Sequence, residues 1–283
     1  MNVILNVFET PSGKDSDYEN FPVGSWLLPA PLRPHVFIYY RFARAIDDIA
    51  DNPDLSADDK IIRLNVFADT LKGTQGQAAI QTALNMRASL LETGVPFDHC
   101  LDLIKAFKQD AVKSRYQNWQ QLIDYCLLSA APVGRYLIDL HGGSKNGYEA
   151  SDALCCALQI INHMQDCADD FKQMDRVYLP ENWMDEFGAT VDDLNKPITT
   201  PALRRVLNKM LKTTEHLMIK AAPMVTDIKS RRLAMESGSI IAIANRLIID
   251  LTNRDPLAGK VKLNKFEYIS CCVKGTVKAL VKR

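Results

Sequence analysis

Four aspartates, Asp47, Asp48, Asp51 and Asp54, fall within "RFARAIDDIADNPDL", directly after an apolar, aromatic run. On a helix, residues four apart share a face, so Asp47 and Asp51 point the same way. Arg44 and Tyr40 continue that stripe backwards. Asp48 lies about a third of a turn away and is expected to face solvent. A second stretch, "QIINHMQDCADDFKQMDRVYLP", repeats the pattern with Asp166 and Asp170. Asn162 and Gln159 extend its stripe by steps of four and three, and Asp169 is expected to face solvent.

Acid pairs at this spacing repel mildly and are most often a solvated face. Here both clusters continue apolar surfaces, "HVFIYYRFARAI" and "ALCCALQIINHM". Both are also read as late in their helices, where the helix dipole opposes negative charge. Carboxylates at the end of an apolar stripe need a partner, and a cation is the natural one. Hard oxygen ligands without His or Cys suit Mg²⁺, which binds a few carboxylates together with phosphate oxygens and water. Two facing ladders would hold several Mg²⁺ ions around a diphosphate, with Arg44 and Arg176 adding positive charge. Phe37, Tyr40, Leu158 and Ile161 are expected to form an apolar, aromatic cavity behind the metals. A prenyl diphosphate needs such a tunnel with a clamp at its mouth. The solvated face stays open as the alternative.

The elements that must position these residues are helical. Apolar residues recur three and four apart over 33–51, 58–72, 78–92, 98–109, 119–140, 150–171, 201–222, 229–252 and 264–281. Convincing period-two strands are absent. Breaks fall at punctuation such as "NPD", "TGVP", "HGGSKNG", "LPENW" and "NRDPLAG". Ser56 with Asp59 resembles a capping box, and Thr200 before Pro201 reads as an N-cap with Pro at the first helical position. No linker, low-complexity segment or fixed-period repeat divides the chain. One all-α domain over 1–283 is expected, with about 1–25 as an irregular arm.

Of the 283 residues 47% are apolar, ample for a core, and 34 Lys and Arg balance 34 Asp and Glu. Nothing in that balance advertises nucleic acid as a partner. The seven cysteines (100, 126, 155, 156, 167, 271, 272) form no Cys-x-x-Cys pair and read as reduced core thiols. The first residues lack a signal peptide's basic region, and no stretch reaches the ~18 apolar residues of a spanning helix. A cytoplasmic protein is expected.

The two aspartate motifs and their flanks resemble the squalene/phytoene synthase family of trans-isoprenyl diphosphate synthases, from about residue 18 to 185 and more weakly to the end. "YYRFARAIDDIAD" matches with Tyr40, Arg44, Asp47 and Asp51. "LQIINHMQDCADDFKQMDRVYLP" matches with Gln159, Asn162, Asp166, Asp170, Arg176 and Tyr178. "FKQDAVKSRYQNWQQLIDYCLLSAAPVG", with Asp110, Tyr125 and Gly134, looks like the middle segment. The resemblance implies an isoprenoid-synthase-type helical bundle around a central apolar cavity. It implies Mg²⁺ held by Asp47, Asp51, Asp166 and Asp170, with Asn162 helping, and Tyr40 and Arg44 beside them in catalysis. It places Tyr125, Gln159, Arg176, Tyr178 and Phe21 in substrate binding.

The segment Glu19-Asn20-Phe21-Pro22 looks like the bacterial hopanoid-pathway branch, which converts presqualene diphosphate to hydroxysqualene. On that branch diphosphate leaves, a cyclopropylcarbinyl cation rearranges, and water captures it without a hydride. Two positions depart from the family: Leu247 stands where condensing members carry Tyr, and Asp175 where Gly is usual. A synthase condensing two prenyl diphosphates and a non-catalytic helical scaffold are the competing readings.

Tyr39 and Phe42 lie off the acid stripe and are expected in the core. His35, His99, His141, His163 and His216 show no ligand spacing and read as structural or exposed. After Asp255 the chain carries seven Lys or Arg, with lysines between apolar residues in "FEYISCCVKGTVKALVKR". It reads as a solvated last helix or as a basic face resting peripherally on anionic lipid at the inner face of the membrane. Neighbouring enzymes of the pathway are the other expected partners.

Overall fold

A computed structural model describes residues 9, 27–74 and 79–281. Phe21 and the Glu19–Pro22 segment lie outside the described residues, as does nearly all of the expected N-terminal arm. In chain order the elements are α1 (Arg33–Asp51), α2 (Ala57–Lys72), α3 (Gln81–Thr93), α4 (Asp98–Asp110) and β1 (Arg115–Tyr116). There follow α5 (Trp119–Ser129), α6 (Ala131–Leu140), α7 (Tyr148–Gln165), α8 (Cys167–Met174), β2 (Val177–Pro180) and α9 (Glu181–Phe187). The last are α10 (Pro201–Ala221), α11 (Met224–Asp227), α12 (Arg231–Asn253) and α13 (Lys265–Val281). The all-α expectation holds.

Local chemistry sets many boundaries. Ser56 accepts the Asp59 amide at 3.1 Å to open α2, and Thr200 accepts the Leu203 amide at 3.2 Å ahead of Pro201. Asn52 leaves α1 in an extended conformation, as a residue before proline prefers. α7 packs against α6, α10 and α12 and is buried on most sides. Five of the seven free cysteines are buried, as expected of core thiols, and burial pushes the Cys167 thiol up to about 12.

Four expectations need correction. The helix expected over 119–140 breaks at Ala130, because Pro132 has no N–H to donate into a continuing helix. The helix expected over 150–171 bends at Asp166, which ends α7 and starts α8. Strands are not absent: β1 and β2 pair in parallel, with Val177 N donating to Ser114 O at 2.9 Å. The "LPENW" break holds the start of α9, too short to show a period.

Two backbone features hold the fold's edges. α12 and α13 meet at glycines: a Cβ on Gly275 would lie 2.1 Å from Gly238 O, and one on Gly238 would lie 2.5 Å from Gly275 O. Ser239 Oγ, 3.0 Å from both Cys272 O and Thr276 Oγ1, joins the same seam. Asp175, in the turn from α8 to β2, has φ 51°, the left-handed region that a glycine takes without strain. Its carboxylate holds Arg115 Nη2 at 2.6 Å, and its carbonyl accepts from Arg115 Nη1.

Gly275→Ala must push the two helices apart and is expected to cost about 1–3 kcal/mol, read as a lower urea midpoint. Asp175→Gly relieves about 1 kcal/mol of strain and loses an exposed ion pair worth less than that. It is therefore expected to match or exceed the parent's urea midpoint, whereas Asp175→Ala falls below it.

Candidate active site

α1 is two-sided. Val36, Tyr39, Phe42, Ile46 and Ile49 fill the core, and Phe37, Tyr40, Arg44, Asp47 and Asp51 form the accessible stripe. Tyr39 and Phe42 are thus core residues as expected. Arg44 Nη1 donates to Asp47 Oδ2 at 2.7 Å, and its guanidinium lies 5.8 Å from the Tyr40 ring centroid. Asp51 Oδ1 accepts from Arg176 Nη1 at 2.5 Å. Asp48, expected to face solvent, is buried on the core edge of α1. The end of α1 is covered on that side, which leaves only the Asp47–Asp51 face open.

The second ladder crosses the α7–α8 bend and keeps its register. Asp166 N donates to Asn162 O at 2.9 Å, and Asp170 N donates to Asp166 O at 2.8 Å. The bend moves Asp169 and Asp170 into the first turn of α8, where the helix dipole favours acids. They are not late in their helix, as the sequence suggested. Asp169 is exposed, as expected. The bend is gripped from outside: Gln165 donates to Val261 O, and Lys260 Nζ lies 3.1 Å from Asp166 Oδ1.

The two ladders feel one another. Burial and the charges of Asp166 and Asp51 push the Asp170 carboxyl up to about 8, with Arg176 opposing. Acids from α1 and from the α7–α8 bend therefore share one electrostatic field. Three of the four are already ion-paired with a side chain of this chain: Asp47 with Arg44, Asp51 with Arg176, Asp166 with Lys260. Asp170 makes no ion pair among the described residues.

Beneath the acids lies a buried polar and aromatic floor. Arg176 is 6% exposed and donates to Ala50 O (2.8 Å) and Asp110 O (3.4 Å) as well as Asp51. Burial opposes its charge, but Tyr178, Asp110 and Asp51 outweigh that and hold its pKa above the ordinary value. Asp110 accepts from Tyr125 OH at 2.7 Å and Tyr178 OH at 3.3 Å, and burial pushes its carboxyl up to about 6 against the pull of Arg176. Tyr178 stacks on His163 at 3.7 Å between ring centroids, and Tyr116 and Tyr125 complete the cluster. Gln159 Nε2 lies 3.3 Å from His163 Nε2.

The structure brings Tyr40, Arg44, Asp47, Asp51, Asn162, Asp166 and Asp170 to the accessible ladders. It places Tyr125, Arg176 and Tyr178 in the floor, each buried and bonded. Phe37 is 45% exposed on the open stripe, but Ile161, expected in a cavity wall, is fully buried because α7 is enclosed by its neighbours. Sequence reasoning missed Lys260 and Lys60. Burial and Arg176 lower the Lys60 pKa while Asp51 and Asp110 raise it, so this α2 lysine faces the same network. No spacing signal marks either lysine. Asp110 was named only through the resemblance of the middle segment, and no spacing announced it as the floor's anchor.

His163 links the floor to pH. Burial, then Arg176, lowers its pKa to about 3, so the folded protein holds it neutral. A lowered folded pKa gives stability that is complete above the unfolded value of about 6.5 and lost as pH falls toward 3. His163→Phe keeps a ring against Tyr178 and is expected to flatten the fall in melting temperature between about pH 6.5 and 4. An unchanged slope would show that other groups govern acid sensitivity.

Comparison with known proteins matches this architecture. A family model described as squalene/phytoene synthase matches residues 15–267. A hydroxysqualene synthase of Rhodopseudomonas palustris is 41% identical over 261 residues, covering 92% of this chain and 89% of that protein. The hydroxysqualene synthase of Zymomonas mobilis is 38% identical, covering 94% and 89%. A squalene synthase of Alicyclobacillus acidocaldarius superimposes with a TM-score of 0.73 at 29% identity, covering 84% of this chain and 89% of that one. A dehydrosqualene synthase solved with a ligand shares the fold, with a TM-score of 0.79 at 19% identity, covering 94% and 93%. With the family model spanning both acid ladders and the floor between them, the chain belongs to the squalene/phytoene synthase family and is an enzyme similar to the hydroxysqualene synthases.

Proposed function

We propose that this chain, working as a single domain, converts presqualene diphosphate and water to hydroxysqualene and diphosphate. The observation that carries the reading is the pair of acid ladders, Asp47–Asp51 on α1 and Asp166–Asp170 across the α7–α8 bend, with Asp51 and Asp166 both raising the Asp170 carboxyl. The similarity to hydroxysqualene synthases over about nine-tenths of the chain supports this branch.

The donor set fits a hard divalent cation. All candidate ligands, Asp47, Asp51, Asn162, Asp166 and Asp170, offer oxygen. Among the described residues no three His, Cys, Asp or Glu stand close enough to enclose a metal alone. Mg²⁺ takes few carboxylates and completes its shell with water and phosphate oxygens. Magnesium, when bound there, neutralises the diphosphate and makes it a better leaving group.

The chain's own residues do the rest. Arg44, bonded to Asp47, and Lys260, beside Asp166, bring positive charge to the acids that would also serve the oxygens of a diphosphate. Arg176 holds Asp51 and is itself held by two backbone carbonyls, so it positions that acid rather than touching substrate. Tyr125, Tyr178 and Asp110 keep Arg176 in place. Phe37 and Tyr40 offer aromatic faces beside the acids, where a carbocation is stabilised. Gln159 lies one helical turn before Asn162 on the same stripe, where it binds the substrate.

Asp170→Asn separates function from folding. A carboxyl whose folded pKa is raised gives stability below its unfolded value and loses it as pH rises through about 8. Above pH 8 the variant is expected to melt higher than the parent, while turnover falls at least about 100-fold. Mg²⁺ is expected to raise the parent's melting temperature and leave the variant's unchanged. Near-normal turnover in the variant would remove Asp170 from the metal site.

The reaction is tested by incubating the protein and Mg²⁺ separately with presqualene diphosphate and with farnesyl diphosphate, without NADPH, and identifying products by mass spectrometry. Hydroxysqualene from the first substrate alone is expected. A condensation product from farnesyl diphosphate would place the chain on the synthase branch instead.

A further inference from the structure

α13 packs on one side and is apolar on both. Tyr268, Cys271, Gly275 and Ala279 turn toward α12. On the opposite side Phe266, Ile269, Val273, Val277 and Leu280 follow one another at helical steps of three and four. All five stand in solvent, from 45% exposed at Leu280 to 87% at Phe266, and Val281 is exposed beside them. A surface helix normally turns charged and polar residues outward. A continuous outward stripe of this size marks an interaction surface.

The charges around the stripe indicate what covers it. Exposed Lys265 flanks one side, and exposed Lys274 and Lys278 flank the other. Exposed Lys262 stands on the approach to the helix, and the sequence continues with Lys282 and Arg283. The single acid of α13, Glu267, is occupied: one oxygen takes Arg246 Nη2 and the other accepts the Asn264 amide at 3.0 Å. Rows of lysine beside a strip of large apolar side chains match a layer of negative charge over hydrocarbon.

We propose that α13 lies in the plane of an anionic lipid surface, with Phe266, Ile269, Val273, Val277 and Leu280 in the acyl boundary and the lysines at the phosphates. No described helix is long and apolar enough to cross a membrane. A second copy of the chain on the same stripe would bring two sets of lysines together, which disfavours a symmetric dimer there. The surface is built by α12 and α13 and does not depend on which reaction the acid ladders perform.

The test uses the full chain sedimented with vesicles of mixed phosphatidylglycerol and phosphatidylcholine, or of phosphatidylcholine alone. Binding is expected to the mixed vesicles and to weaken with salt. Ile269→Asp with Val273→Asp is expected to weaken it at least roughly ten-fold with the far-ultraviolet circular dichroism unchanged, because both side chains already face solvent. Lys274→Ala with Lys278→Ala is expected to weaken it roughly five-fold per lysine. Phe266→Trp supplies a local probe, whose emission should shift to the blue on the mixed vesicles. Equal binding by parent and variants, or no binding, would overturn the proposal. So would a dimer in sedimentation velocity, or a complex with an acidic protein, that needs the same stripe while vesicles are ignored.

Discussion

A buried arginine ties the end of the first acid ladder to the polar floor beneath it. Arg176 reaches from the start of β2 to the last turn of α1 and the end of α4, donating to Ala50 O, Asp51 and Asp110 O. A buried guanidinium is tolerable only when its donors are met and its charge is balanced. Both conditions fix the ends of α1 and α4 around it. The floor of Asp110, Tyr125, Tyr178 and His163 supplies the balance and excludes water. The parallel pairing of β1 with β2 fixes the backbone directly after Arg176, with Val177 N bonded to Ser114 O.

Above that floor the protein keeps its acids under restraint. Asp47, Asp51 and Asp166 each hold a basic side chain, and Asp170, crowded by its neighbours, is biased toward its protonated form. Placing like charges together costs stability, as functional sites commonly do. The strap through Lys260 and Val261 deepens this arrangement. It grips Gln165 and Asp166 at the bend that turns α7 into α8, so the acid ladder and the approach to α13 are mechanically continuous.

α13 closes the chain with a different economy. Its inner face uses glycine to bring two backbones into contact, which replaces side-chain packing by proximity. Its outer face keeps the bulk that the inner face gave up. The Gly238–Gly275 seam and the outward apolar stripe are thus two results of one arrangement of small and large residues along a single helix.

The sequence by itself determined the helical class, the start and end of α1, the caps at Ser56 and Thr200, and the two stripes that carry Asp47, Asp51, Asp166 and Asp170. Helical periodicity and cap chemistry are local, and residues three or four apart must share a face whatever surrounds them. Tertiary structure alone decided the rest. The bend at Asp166 has no breaker residue to announce it and is held from outside by residues 260–261. Asp48 became buried because neighbouring elements cover its side of the helix. Lys60 and Lys260 joined the site by packing, and Arg176 became a floor residue instead of an open cation. The reason is common to all of these: a side chain's period along the helix gives its direction, but only the elements packed around it decide whether that direction leads to water, to a charge or to the core.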